Sequence, residues 1–273
     1  VAPPVISVLV TCHNLGAYLH EAVDSVLAQS VDDVEILVVD DGSTDPDTLR
    51  VLDGLARPKT TLFRTPNRGL ARARNFLIER ACGEFLCALD ADDRLLPGYF
   101  EKALGRFADD PSLTFVSAWV QEFGESNRLW RQDRCDLAAL LAEDTVMTAA
   151  LVRRRAVAEI GGYDEEMPAQ GDEDWDLWLS LVAAGHRGAI IPEALFHYRR
   201  RKGSMSEQCT DGRTHLALFD YLREKHRTAF ERHAREVLML QEARISALLR
   251  RTDALEIYMG SQLGPEVARR RAE

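Results

Sequence analysis

Three carboxylates crowd the segment Leu89-Asp90-Ala91-Asp92-Asp93, at the end of the apolar run Phe85 to Leu89. Like charges repel and resist burial, so such a cluster calls for a cation to neutralise it. Hard divalent ions such as Mg²⁺ are usually held by one or two carboxylates together with substrate phosphates. The segment therefore reads as a site for a metal-chelated diphosphate. A second acidic pair, Asp40-Asp41, closes the apolar run VEILVVD at 34–40. A carboxylate there suits the N–H and O–H donors of a base or ribose. Asp41-Gly42-Ser43 also suits a plain turn, and Asp45 before Pro46 reads as a helix cap.

Between these clusters, Asn67-Arg68-Gly69-Leu70-Ala71-Arg72-Ala73-Arg74-Asn75 sets three arginines around a glycine. Guanidinium matches a diphosphate bidentately and glycine lets backbone approach it, although exposed helix arginines are often only solvated. Gly171-Asp172-Glu173-Asp174-Trp175 holds more acid than a cap needs, and one of its carboxylates is a candidate general base. Aromatic neighbours would raise its pKa and a helix N-terminus would lower it. The basic, glycine-containing stretch from His197 to Ser206 reads as a loop closing over phosphates, with a solvated basic run as the competing reading. His197 is either a metal ligand or structural.

Four strand runs, at 5–11, 34–40, 60–64 and 85–89, all but the third reading as buried, alternate with helical spacing up to about residue 81. This order predicts a Rossmann-like α/β fold, a mostly parallel sheet flanked by helices. Such sheets bind ligands at the carboxyl ends of their strands, where both acidic clusters fall. A helix near 97–107, a strand at 113–120, a helix near 136–142 and a strand-like VMTAALVRR follow. A helix buried on most sides starts near Glu173 and is capped by Gly185. AIIPEALFHYRRR has strand character broken by Pro192. Residues 1–210 form the expected catalytic domain and 211–273 a C-terminal helical extension.

A net charge of −10 argues against a nucleic-acid partner. No apolar run is long enough for a membrane span, and nothing reads as a signal peptide. The chain starts at Val1 without a Met, which leaves open a piece of something longer. Cys12, Cys82, Cys87, Cys135 and Cys209 form an odd, scattered set, as expected of core packing in a reducing compartment. The expected location is cytoplasmic, with Arg269-Arg270-Arg271 a weak handle for the anionic inner membrane face.

Taken in order, ISVLVTCHN, VVDDGSTD, NRGLARARN, GEFLCALDADD, GGYDE, DEDWDLWL and HYRRRKGSMS make residues 5–206 resemble family 2 glycosyltransferases of the GT-A fold. The resemblance implies inverting transfer from a nucleotide-diphosphate sugar, a UDP-sugar above others, with Mn²⁺ or Mg²⁺ as cofactor. It assigns Thr11, Asn14, Asp41, Asn67 and Arg74 to the donor nucleotide, and Asp90 to the ribose. Asp92 would hold the metal, with Asp93 assisting and His197 as a further ligand. Asp174 would be the catalytic base beside Glu173, and His197, Arg199 and Ser204 the closing loop. His13 stands where Tyr is common. No QxxRW string follows the Glu-Asp pair, so likeness to processive cellulose- or hyaluronan-type synthases is expected to be poor and transfer non-processive.

The implied acceptor is a glycan, a lipid-linked group or a protein, and the C-terminal helices could carry a homodimer or further domains. Thr11-Cys12-His13-Asn14 lacks the Gly-rich loop of a nucleotide-sugar pyrophosphorylase and the G-x-G-x-x-G of a dinucleotide-dependent oxidoreductase. A non-catalytic GT-A-like nucleotide-binding or assembly module stays as the alternative.

Overall fold

Every residue of β1 (Ile6–Cys12) is buried in the computed structural model, which describes residues 4–205 and 212–270, with side chains as far as 252. β1 lies parallel to β2 (Val34–Asp41) on one side and to β4 (Phe85–Asp90) on the other, with β3 (Thr60–Thr65) beyond β2. Strands covered on both faces need unbroken apolar sequence, which β1, β2 and β4 supply. Each large side chain so buried contributes roughly 1.5–3 kcal/mol. Helices α1 (Gly16–Leu27), α2 (Pro46–Asp53) and α3 (Leu70–Ile78) make the crossovers. Asp45 caps α2 as expected, accepting from Thr48 N at 2.8 Å, with Pro46 in the first position.

After β5 (Arg94–Leu95) and α4 (Tyr99–Asp109) come β6 (Phe115–Gly124), β7 (Leu129–Trp130), α5 (Leu137–Ala142), β8 (Leu151–Arg153) and α6 (Arg154–Glu159). α7 (Glu173–Ala183) and β9 (Gly188–Arg200) complete one mostly parallel sheet of order β3-β2-β1-β4-β8-β6-β9-β5, with β7 on β6. β9 runs straight through Pro192. Its parallel register with β6 shifts on either side of Trp119, and this irregularity takes up a residue that has no N–H to donate.

VMTAALVRR is a strand only over Leu151–Arg153. Before it, Ser117 Oγ accepts from Met147 N at 3.3 Å, and at its first residue the Tyr99 hydroxyl accepts from Leu151 N at 2.8 Å. Side chains from distant elements thus satisfy backbone that a ladder would otherwise pair. α6 was not expected; at six residues it is too short to show a helical period.

Trp178 of α7 packs on Phe115 at 5.1 Å between centroids. Gly185 sits one place beyond the cap Ala184 at φ 93°, and the bonds Gly185 N to Val182 O and His186 N to Leu181 O close the helix. The expected division at residues 210 and 211 and Cys209 lie outside the described residues, as do the side chains of Arg269-Arg270-Arg271. α8 (Gly212–Lys225) and α9 (Arg227–Arg270) follow. α8 buries Leu218 and Leu222 and sets Phe219 6.2 Å from Trp175. Among the described residues, no helix is long and apolar enough to cross a membrane.

Candidate active site

Strand register builds the centre of the site. Thr11 stands beside Asp90 in the β1–β4 pair, and its hydroxyl donates to Asp90 Oδ1 at 3.0 Å. The same oxygen accepts from Arg74 at 3.0 Å. Arg74 is only 2 % exposed, with its guanidinium 5.1 Å from the centre of the Tyr163 ring. Burial alone would disfavour its charge, but Asp90 and other nearby negative groups outweigh that and raise its pKa.

Asp41 pairs with Thr65 in the β2–β3 register. Its carboxylate accepts from Arg68 N at 2.9 Å and Gly69 N at 3.0 Å, so it shapes the turn that carries Asn67. Asn14 Oδ1 likewise takes Thr44 N and Asp45 N, at 2.8 and 2.9 Å. His13 Nδ1 lies 2.9 Å from Asp41 O. These side chains were expected at a nucleotide. They hold one another's loops together, and Thr11, Asn14, Asp41 and Asn67 also line one cavity of about 660 Å³.

Asp90, Asp92, Arg199, Arg201 and Ser204 line that cavity too. Asp92 Oδ2 is held by Arg201 Nε at 2.7 Å, and its backbone oxygen accepts from Arg199 Nε at 2.8 Å. Burial pushes the Asp92 carboxyl upward against the pull of Arg201, and the negative charge of Asp90 adds to the rise. Two oxygen-donor side chains beside basic ones fit a divalent ion that arrives with phosphate oxygens. They do not form a cage by themselves: among the described residues, no group of three or more His, Cys, Asp or Glu could hold a metal ion.

Two expected ligands stand elsewhere. Asp93 is buried and accepts from Arg199 N at 2.7 Å, fastening the end of β9 to the turn after β4. Burial and the neighbouring Asp92 hold its carboxyl well above the usual range. His197 faces Arg94 in the β5–β9 pair, takes Arg94 Nε at 3.1 Å on its Nδ1, and has its ring centre 5.3 Å from that of Phe123. Burial, with the adjacent Arg94, lowers its pKa. Neither residue lines the cavity. A strand partner has claimed each donor, which spacing along the chain could not reveal.

A second cavity, about 460 Å³, adjoins the first and shares Leu70, Asp90, Tyr198 and Met205 with it. Glu173 and Asp174, at the N-terminus of α7, line it with Arg74. Asp174 accepts from Thr148 Oγ1 and, at 3.0 Å, from Trp175 N. Burial raises its carboxyl, while Arg74 and Thr148 pull the other way. Glu173 accepts from Gly171 N at 2.8 Å and is raised chiefly by burial. Asp172 is pushed up to about 6 by burial and then by Asp174.

Asp144, also in this lining, is raised well above the carboxylate range by burial and by Asp174. It escapes a reading by motif because it stands in the irregular stretch after α5. Gln170, whose Oε1 accepts from Leu70 N at 2.9 Å across a hundred residues, escapes likewise, in the irregular segment between α6 and α7. Arg74 Nε, Trp130 Nε1 and Asp172 Oδ2 are buried without a hydrogen-bond partner among the described residues, each at a cost of about 1–3 kcal/mol.

The model of the family described as "Glycosyl transferase family 2" matches residues 7–161. Chondroitin synthase of Escherichia coli is 35% identical over 193 residues, 67% of this chain and 27% of its own. Hyaluronan synthase of Pasteurella multocida is 36% identical over 115 residues, 41% of this chain and 12% of its own. The chain thus spans a small part of these relatives. The expected poor likeness to hyaluronan-type synthases does not hold over that segment. Among solved structures, Staphylococcus aureus TarS 1-349 in complex with UDP-GlcNAc superposes with a TM-score of 0.64 at 18% identity, covering 80% of this chain and 66% of that one. That likeness shows a shared fold.

Proposed function

This chain belongs to glycosyl transferase family 2, and on that footing we propose that it moves a single sugar from a nucleotide-diphosphate sugar to an acceptor hydroxyl, inverting the anomeric carbon. One observation carries the reading: the cavity lined by Asp90 and Asp92 adjoins the cavity lined by Asp174, and Asp90 and Tyr198 belong to both. A donor in the first would present its anomeric carbon where the two meet, with an acceptor in the second.

The nucleotide lies among Thr11, Asn14, Asp41 and Asn67, and the diphosphate points toward Asp92, Arg199, Arg201 and Ser204. A UDP-sugar is favoured because the TarS structure is a complex with UDP-GlcNAc. Asp92, beside Asp90, would hold Mn²⁺ or Mg²⁺, which when bound supplies Lewis acidity to the leaving diphosphate. Arg74 holds the Asp90 carboxylate in place. Arg199 and Arg201 offset the negative charge that gathers on the departing phosphate oxygen.

Asp174 takes the acceptor proton as the acceptor oxygen bonds to the anomeric carbon. The electrons of the broken glycosyl–oxygen bond leave with the nucleotide diphosphate. Burial makes Asp174 a stronger base than an exposed carboxylate, which suits that task. Transfer without processive elongation is the form proposed.

A panel of nucleotide sugars tests this, measured by thermal shift and donor cleavage with Mn²⁺ and with EDTA. A UDP-sugar should raise the midpoint, more strongly with Mn²⁺; binding at a hundred times Kd corresponds to about 2.7 kcal/mol. Nucleotide binding with no donor cleaved under any condition would instead make the chain a non-catalytic binding module.

A further inference from the structure

The Asp174 cavity is built for more than proton removal. Part of its lining is acidic, with Asp144 and Asp172 beside Glu173 and Asp174. Another part is apolar and aromatic, where the Trp130 and Tyr198 rings stand 6.1 Å apart at 37°. Register puts these rings together: β6 carries β7 on one edge and β9 on the other, pairing Val120 with Trp130 and Glu122 with Tyr198.

Three residues of this lining each carry a buried polar atom, Arg74 Nε, Trp130 Nε1 and Asp172 Oδ2, with no hydrogen-bond partner among the described residues, and Arg74 is almost wholly enclosed. The three atoms comprise two donors and an acceptor. A sugar ring answers to that mixture, because each hydroxyl both donates and accepts while the C–H faces of the ring pack on aromatic surface. An anionic acceptor would meet five acidic side chains, Asp90 among them, against the one guanidinium of Arg74, and be repelled. An alkyl chain would leave those carboxylates desolvated without partners. At about 460 Å³ the space is in the range of small-molecule sites.

We infer that the acceptor is a neutral saccharide, its terminal ring against Trp130 and Tyr198 and its hydroxyls turned toward Asp172, which makes Trp130 and Asp172 determinants of acceptor choice. This rests on the transferase reading above and goes beyond it. Neither Trp130 nor Asp172 lines the nucleotide cavity, so the two can be tested apart.

The full chain, saturated with UDP and Mn²⁺, is titrated by ligand-observed NMR with methyl glycosides of neutral and N-acetylated hexoses and their disaccharides. UDP affinity is measured separately by calorimetry. At least one glycoside should bind, and Trp130→Ala and Asp172→Asn should each weaken it tenfold or more, with UDP affinity within twofold of the parent. Trp130→Phe, which keeps a ring and loses the N–H, should fall between. Asp172→Asn is nearly isosteric and keeps the test sound should Trp130→Ala fold poorly.

Glycosides that fail to bind while UDP binds would overturn the inference. So would glycoside binding untouched by all three variants, or sugar transfer to a serine peptide or a polyprenyl alcohol alone. Loss of UDP binding in the parent chain would instead sink the transferase reading.

Discussion

Arg201 Nε lies 2.7 Å from Asp92 Oδ2, so the carboxylate that the sequence offers to a metal ion is held by a guanidinium of the same chain. A divalent ion must compete with that charge. Charge-assisted hydrogen bonds contribute about 1.5–3 kcal/mol, and partial exposure places this pair at the low end. Arg201→Gln should therefore lower the Mn²⁺ concentration that half-saturates UDP binding by roughly tenfold, ~1.4 kcal/mol. With saturating Mn²⁺ the same variant should bind UDP more weakly than the parent, since a positive charge near the diphosphate is gone. Calorimetry across a Mn²⁺ series reads both.

Asp174→Asn removes the proposed base and keeps the volume. Transfer should drop about 10²- to 10⁴-fold. UDP affinity should hardly change, because Asp174 lines only the second cavity. Turnover at the parental rate would remove the base assignment.

Burial raises the Asp174 carboxyl, and the hydrogen bond from Thr148 opposes the rise. The acidic limb of kcat/KM should then lie above the range of an ordinary carboxylate, with activity lost as pH falls through it. Thr148→Val deletes a donor to the charged form, so the limb should move to still higher pH. A pH–rate profile of the two proteins decides the sign.

Asp176, almost wholly buried in α7, accepts from Lys225 Nζ at 2.8 Å and from His226 Nε2 at 2.9 Å. Lys225 also reaches Asp164 at 2.6 Å, so one ammonium ties α8 to α7 and to the turn after Gly162. Asp176→Ala strands both partners and should cost roughly 3 kcal/mol, or about 6–12 °C in Tm. Burial would raise the Asp164 carboxyl, but the bonds from Lys225, Glu166 N and Tyr221 lower it overall. Its contribution is therefore complete above the unfolded carboxylate pKa and fades as pH falls through the depressed folded value. Lys225→Met should flatten that acid-side loss in calorimetric melts.

Gly162 has φ 84°, and a Cβ there would come 2.6 Å from Asn75 Oδ1. That oxygen accepts from Tyr163 N at 2.8 Å, joining α3 to the segment that leads to α7. Gly162→Ala should lower Tm by several degrees, at roughly 2–4 °C per kcal/mol, through backbone strain and loss of this joint.

Residues 5–90 were legible from the sequence alone, because two-sided burial of β1, β2 and β4 demands unbroken apolar runs and each ends in its own polar cluster. Asp45 as a cap and Gly185 as a helix stop were likewise local facts. The family resemblance carried by the motif strings matched the family found. What the chain order could not settle was which donors are already spoken for. Asp93 and His197 look available in the sequence, yet β9 folds back and gives Asp93 to Arg199 N and sets His197 against Arg94. Asp144, Trp130 and Gln170 gain their places only when segments distant in sequence meet. Periodicity and capping report on bonds within a few residues of one another. The neutralisation of a charge, or the pairing of a buried polar atom, is decided by whichever distant group the tertiary structure brings within hydrogen-bond distance.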